Sequence, residues 1–277
     1  MLAFEQLGVE TLYLRPEQLA SLFGRRDSRI VYTSTLGDVD IDAVLLRDIG
    51  FPVTLEIFLR RYTLFKHFEL LGKPVVNPVD GLVTARNKYL SLLLLDMNGI
   101  PVPRTAVVED VSSAMRIAER LGTTVIKPIV GSMGFGAIKV DNIDIAYVVS
   151  RTLSQVGQPI YIQEFVEKPS RDIRVFVVGN QVIAAYYRVQ ESSWKTNIAQ
   201  GAKPVAMNRI DPELEELAIK ATKVLSLHYA GVDVAETRDG YVVFEVNASP
   251  NWRGLMVATG VNPATHIARY VVQLVRR

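Results

Sequence analysis

The stretch GYVVFEVNASPN (residues 240–251) decides the reading of this chain. Val242, Val243, Phe244 and Val246 predict a strand built for a core, yet Glu245 and Asn247 interrupt it two positions apart. That spacing puts both oxygen-bearing side chains on one face. The preceding segment AGVDVAETRD (230–239) predicts its hairpin partner. Arg238-Asp239-Gly240 reads as a three-residue loop with glycine in the left-handed position. Such a loop pairs 237 with 241, 235 with 243 and 233 with 245. Asp233, Glu245 and Asn247 then share one face, and Val232, Val234, Val242, Phe244 and Val246 share the other. Two carboxylates and an amide oxygen, without His or Cys, favour a hard cation. Mg²⁺ fits best, because it typically takes one or two carboxylates together with phosphate oxygens. On the hairpin alone, a solvated sheet face carrying an acid pair stays open.

A glycine-rich segment, KPIVGSMGFGAIKV (127–140), gives that cation a companion. Gly131, Gly134 and Gly136 free the backbone to curl, so that its N–H groups can line a phosphate. A Walker loop or a dinucleotide fingerprint would open a helix. Here the β-type residues AIKV follow, so the loop joins two strands as a flap. Lys127 before it and Lys88 at the head of an earlier helix supply positive charge. A glycine-rich hairpin with surface lysines is the plainer alternative. In IQEFVEKPSRDIRVFVVG (162–179), Gln163 and Glu164 fall where one lobe passes to the next, a place where backbone can read an adenine edge. Asp172 can accept from ribose hydroxyls. Arg174 and Arg188 offer guanidinium forks for phosphate or carboxylate. QESSWKTNIAQGAKP (190–204) is a long polar loop, of the kind that carries function.

Composition closes off other chemistries. The 277 residues suffice for a sizeable core, and 49% of them are hydrophobic. With no cysteine there is no disulfide, thiolate metal site, iron–sulfur cluster or Cys nucleophile. His67, His228 and His266 have no metal-ligand spacing and are expected to be structural. A formal charge of +2 without a basic cluster argues against nucleic acid. No apolar run can cross a bilayer, and MLAFEQLGVE lacks a basic leader region. A soluble cytoplasmic protein is the expectation.

Along the chain, residues 2–7 predict a helix and VETLYL (9–14) a strand. DAVLLRDIG (42–50) predicts a second strand, 54–71 an amphipathic helix and KPVVNPV a short return strand. Residues 1–85 thus predict a small, mostly parallel α/β unit lacking its customary first strand. Helices are predicted from Lys88 to about Asn98, over 111–121, 143–156, 211–228 and 263–276. Strands fill most of the interval from Pro159 to Tyr187.

These segments, in this order from about residue 60 onward, resemble the ATP-grasp superfamily, and most closely its RimK-like amino-acid ligases. The resemblance implies an α/β fold of two α+β lobes clamping ATP, behind a partial Rossmann-like domain. The units would be 1–85, a central lid lobe 86–162, and a C-terminal lobe 163–277 with the metal. It implies that Lys88 and Lys127 bind phosphates and that Gly131, Ser132, Gly134 and Gly136 close over them. Gln163, Glu164, Phe165 and Val166 would hold adenine, and Asp172 the ribose. Asp233, Glu245 and Asn247 would hold Mg²⁺, or Mn²⁺ in its place. Arg188 and Asn197, with Lys127, would serve the reacting phosphoryl and carboxylate groups. Arg174, Trp194, Lys195, Ser249 and Arg253 would meet substrate.

The implied reaction is ATP-dependent amide formation through an acyl phosphate, adding L-glutamate to a coenzyme or peptide-like carboxylate. VEKPSRDIRVFVVG also resembles LysX-type ligases acting on a carrier protein, whereas NASPNWRGL looks more like RimK or the archaeal coenzyme ligases. A nucleotide-binding regulatory protein without turnover is the alternative of another class. Analogy with such ligases implies a homo-oligomer.

Overall fold

The computed structural model describes residues 1–50, 54–130 and 136–276. The N-terminal region contains α1 (Leu2–Glu5), β1 (Leu19–Gly24), β2 (Asp27–Tyr32), β3 (Val44–Leu45), α2 (Leu55–Leu70), β4 (Val75–Val76) and α3 (Val79–Arg86). The strand expected over residues 9–14 is absent; that segment is irregular. In its place β1 and β2 form an antiparallel hairpin, with Gly24 opposite Asp27. Its turn residues Arg25 and Arg26 have φ of 47° and 73°. Two left-handed residues are what a tight hairpin turn requires, but Asn-Gly is its usual signature, so Arg-Arg carried no turn signal. Among the described residues, parallel pairing is confined to β3 with β4, Val44 opposite Val75 and Leu45 opposite Val76. Thr54 caps α2 by accepting from the Ile57 N–H at 3.3 Å. That helix buries Leu64, Phe65 and Phe68. His67, on the same face, lies between the Ser21 and Ser28 hydroxyls at 3.0 and 2.8 Å. These contacts hold the β1–β2 hairpin against α2.

The lid lobe contains β5 (Thr105–Val108), α5 (Val111–Leu121), β6 (Thr124–Lys127), β7 (Ile138–Val140), α6 (Ile143–Gln155) and β8 (Ile160–Glu164), after α4 (Lys88–Met97). Its antiparallel sheet runs β5-β8-β6-β7. Asp110 and Asn142 cap α5 and α6. Their small buried residues Ala114, Ala118 and Ala146 let both helices lie close on Ile126, Ile160 and Ile162. Although it precedes the lid in sequence, α4 packs on the large C-terminal sheet, burying Leu92 and Leu95 in the main core.

The C-terminal lobe contains β9 (Arg171–Val178), β10 (Gln181–Val189), β11 (Lys203–Ala206), α7 (Pro212–Val224), β12 (Tyr229–Thr237), β13 (Gly240–Asn247), α8 (Arg253–Thr259) and α9 (Pro263–Val275). The sheet order is β11-β10-β9-β12-β13, antiparallel throughout. One face carries Ile173, Val175, Val177, Val232 and Val234 into the main core with α3, α4 and α7. The other face changes character along its length. At one end Phe176, Tyr186 and Tyr229 pack on α8 and α9. At the other end Asp172, Arg174, Arg188 and Asp233 are charged and inward-facing.

The β12–β13 hairpin corrects the expected register. Its loop has two residues, Arg238 and Asp239, because Thr237 pairs with Gly240. Thr237 Oγ1 closes this turn, donating to the Gly240 carbonyl at 2.8 Å and accepting from the Asp239 N–H at 3.2 Å. Ala235 therefore faces Val242, and Val234 faces Val243. A bulge between Val243 and Glu245 then restores the Asp233–Glu245 pair, followed by Val232–Val246 and Gly231–Asn247. Val243, fully buried, belongs to the core, not Val242 or Phe244 as the longer loop implied. The bulge thus keeps Glu245 off the core face and turns Phe244 toward a cleft. Among the described residues no helix is long and apolar enough to cross a membrane.

Candidate active site

The cleft opens between the lid sheet and the charged end of the C-terminal sheet. It is lined by Lys88, Lys127, Gln163, Glu164, Phe165, Val166, Asp172, Arg188, Trp194, Lys195, Asn197, Asp233 and Glu245. Thirteen residues expected from sequence are therefore brought to one cavity. Gly136, Arg174, Asn247, Ser249 and Arg253 do not line it. Gly131, Ser132 and Gly134 lie outside the described residues. Val125, Pro128, Ala137, Lys168, Thr196 and Phe244 line it as well and are not among the site residues expected from sequence. Lys168, Pro128, Ala137 and Thr196 sit inside the motif segments; Phe244 required knowledge of the bulge.

Strand register assembles the charged floor. Asp172 on β9 lies opposite Arg188 on β10, and Arg174 on β9 lies opposite Asp233 on β12. Arg188 donates through Nε and Nη2 to the two Asp172 oxygens at 2.6 and 2.8 Å. Its Nη2 also lies 3.0 Å from Asp233 Oδ2. Arg174 forks onto Asp233 from the other side. Burial works against charge on Arg188, but Asp233 and Asp172 more than offset it and hold the guanidinium protonated. Burial likewise opposes ionisation of Asp233, and Arg174 and Arg188 overcome it, keeping the carboxylate below its usual range. Asp172, expected at the ribose, is already engaged by Arg188 and by the Thr196 hydroxyl.

The lysines sit across from this floor. Lys88 Nζ is 3.6 Å from Glu245 Oε1. Lys127 ends β6, donates to Gln163 Oε1 at 2.9 Å and stands over the Tyr161 ring. Burial pushes its pKa down to about 8; Glu245 counters this, and Lys88 reinforces it. At the passage between lobes, Glu164 accepts from the Arg104 backbone N–H at 2.8 Å and from Arg104 Nε at 2.5 Å. Phe165 lies between the Lys139 ammonium, 3.7 Å from its ring centre, and the edge of Trp194. Gly136 has φ of 77°, and a Cβ there would stand 3.2 Å from Pro128.

The donor types present are those a hard cation takes, with Asp233 engaged in this structure by Arg174 and Arg188. Asp233 and Glu245 are a register pair, and Asn247 faces Gly231 on the next row. Asn247 Nδ2 is turned 3.5 Å from the Gly231 carbonyl, which leaves its amide oxygen pointing elsewhere. The donors are two carboxylates and an amide oxygen; no cluster of three His or acidic ligands stands among the described residues. Ser249 donates to the Arg47 carbonyl, and Arg253 heads α8 at the surface.

A four-stranded lid and a larger antiparallel sheet, closing on a lysine- and carboxylate-lined cleft, define an ATP-grasp ligase. Residues 85–271 match the RimK-like ATP-grasp domain, and the chain belongs to that family. It is 33% identical to the tetrahydromethanopterin:alpha-L-glutamate ligase of Methanocaldococcus jannaschii, over 98% of this chain and 92% of that one. It is 35% identical to the alpha-aminoadipate–LysW ligase LysX of Saccharolobus solfataricus, over 76% and 78%. Its fold superposes on the ATP-grasp ligase PsnB, solved with a phosphomimetic precursor variant, Mg and ADP, at a TM-score of 0.78 and 22% identity, covering 99% of this chain and 93% of that one. A RimK domain ATP-grasp protein from Sphaerobacter thermophilus gives a TM-score of 0.72 at 23% identity, over 98% and 93%.

Proposed function

We propose that this enzyme joins L-glutamate to a carboxylate of a pterin-type coenzyme or a peptide-like acceptor, with cleavage of ATP to ADP. The observation that carries the reading is the single row Arg174–Asp233–Glu245 across three strands, faced by Lys88 and Lys127. Together with near-full-length similarity to pterin-directed glutamate ligases, it supports this chemistry better than any hydrolytic scheme. No Ser–His or Cys nucleophile lines the cleft among the described residues.

An acceptor carboxylate oxygen attacks the γ-phosphorus, the bond to the β-bridging oxygen breaks, and ADP leaves. The amine nitrogen of glutamate then attacks the acyl carbon. Phosphate departs and the nitrogen loses a proton. Carboxylate is a poor electrophile, and phosphorylation supplies its leaving group. Lys88 and Lys127 would neutralise phosphate oxygens, and Arg188 would meet the transferring phosphoryl group. Asn197, Trp194 and Lys195, from the loop over the cleft, would orient acceptor and amine. Adenine would lie along Gln163–Val166. Asp233, Glu245 and Asn247 would hold Mg²⁺, whose charge neutralises phosphate oxygens when bound; Mn²⁺ has the same preference for oxygen donors.

Similarity to LysX ligases favours one second reading, an acceptor carboxylate presented by a small carrier protein. Purified enzyme given Mg·ATP, single amino acids and each acceptor class tests both. ADP release with one glutamyl addition to a coenzyme carboxylate supports the first reading. Addition only to a carrier protein supports the second, and ADP release with neither sinks both.

A further inference from the structure

Loop 190–204 is exposed or half-buried along most of its length, yet Thr196 near its middle is buried at 5%, as is Ala202 near its end. Its hydroxyl donates to Asp172 Oδ2. Asp172 is buried as well, at 4%, and its two oxygens also receive the Arg188 fork. One carboxylate therefore ties the loop to the arginine that faces Asp233. Lys195 and Asn197, flanking the tie on either side, both line the cleft.

We propose that Asp172 is a positioning residue, and that its bond to Thr196 is a latch fixing loop 190–204 in register over the cleft. This deepens the ligase reading and rests on it only for the loop's purpose. The physical case is asymmetry. Arg188 is held by strand pairing as well as by charge, because its backbone lies in β10 opposite Asp172. Around Thr196 the loop has no strand ladder; the nearest regular structure is the short 3-10 turn at Ile198–Gln200. A charge-assisted hydrogen bond in a buried setting is worth more than a neutral one, so the loop's placement depends on it. Two strand residues, Asp172 and Arg188, thereby set where Lys195 and Asn197 stand relative to the phosphoryl group.

The test compares Thr196→Val with Thr196→Ser by amide hydrogen exchange of the full-length protein, without substrates. Valine keeps the shape and removes the donor; serine keeps the donor. The latch predicts roughly tenfold faster exchange across residues 192–198 in the valine variant, and near-native exchange in the serine variant. Exchange in β9 and β12 should not change. Native exchange in the valine variant overturns the proposal. So does serine behaving like valine, or acceleration that spreads into β9 and β12, which would mark a general packing role. Asp172→Asn is a weaker probe, because it leaves Arg188 buried with less charge compensation. The exchange readout needs no turnover, so an inactive wild-type enzyme would refute the ligase reading without touching the latch.

Discussion

On the proposed reading, Lys127 is the side chain whose protonation couples the cleft to nucleotide binding. Burial lowers its pKa to about 8, so in the free enzyme it loses its proton as pH rises through that value. A triphosphate favours the charged form. Binding above pH 8 should therefore take up a proton, and affinity should fall as pH rises. Calorimetry of Mg·ATP binding near that pH, in two buffers of different ionisation enthalpy, reads this directly. Buffer-dependent heat in the wild type and none in Lys127→Met is the expected result; identical buffer dependence in both would contradict it. Residues that reach the cleft were legible in sequence where an apolar strand carried oxygen donors, as at Asp233 and Glu245; Asn247, read from the same pattern, does not line it. They were not legible where a side chain's partner decides its work. Asp172 reads as a free carboxylate, and only the fold reveals Arg188 and Thr196 on it.

At the scale of elements, the β12–β13 hairpin shows how far periodicity carries. Alternation predicted the acidic face correctly because Asp233 and Glu245 do pair. It misassigned Val242, Val243 and Phe244, because a shorter loop and a bulge cancel one another between the turn and the site. The β1–β2 hairpin stayed hidden because Arg25 and Arg26 adopt turn geometry without turn-residue chemistry. Gly136 belongs to this scale, since its left-handed φ and the nearby Pro128 fix how the chain enters β7. Gly136→Ala should cost about 1 kcal/mol of stability by placing a side chain at positive φ. It should slow ADP formation more than that loss explains. Thermal melts and steady-state turnover check both, and an unaltered rate would remove the 131–136 segment from the phosphate-binding account.

Between β4 and α3, Asn77 is fully buried and joins elements distant in sequence. Its Nδ2 donates to the Tyr229 and Ala248 carbonyls at 2.8 and 2.7 Å, and its Oδ1 accepts from the His228 and Tyr229 N–H groups at 2.7 and 3.0 Å. Asn77→Ala leaves three buried backbone groups and one half-buried group short of a partner. A loss of about 3 kcal/mol or more is expected in denaturant melts, because each orphaned group carries a desolvation penalty. A change below about 1 kcal/mol would show that the seam is held elsewhere.

For the whole molecule, three parts are joined through the C-terminal sheet and the segment that follows it. The N-terminal region grips the segment after β13 through Arg47, which donates to the Tyr229 hydroxyl and the Pro250 carbonyl, both at 3.1 Å, and lies over Trp252. The segment carrying Ser249 and Arg253 is thereby positioned by residues far apart in sequence, which is why these two could be named from sequence but not placed. The lid approaches from the other side, its connector joined to β13 by the Val243 N–H donating to the Pro101 carbonyl at 2.8 Å. On the proposed reading nucleotide and metal would be held beside the acidic row, so that row is the point on which the account turns. Isothermal titration of ATP, with and without Mg²⁺, into wild type and Glu245→Ala tests it most directly. Saturable Mg²⁺-dependent binding in the wild type, lost in a variant whose melting curve is unchanged, is the predicted result. Equal Mg²⁺-dependent affinity in both proteins would contradict it.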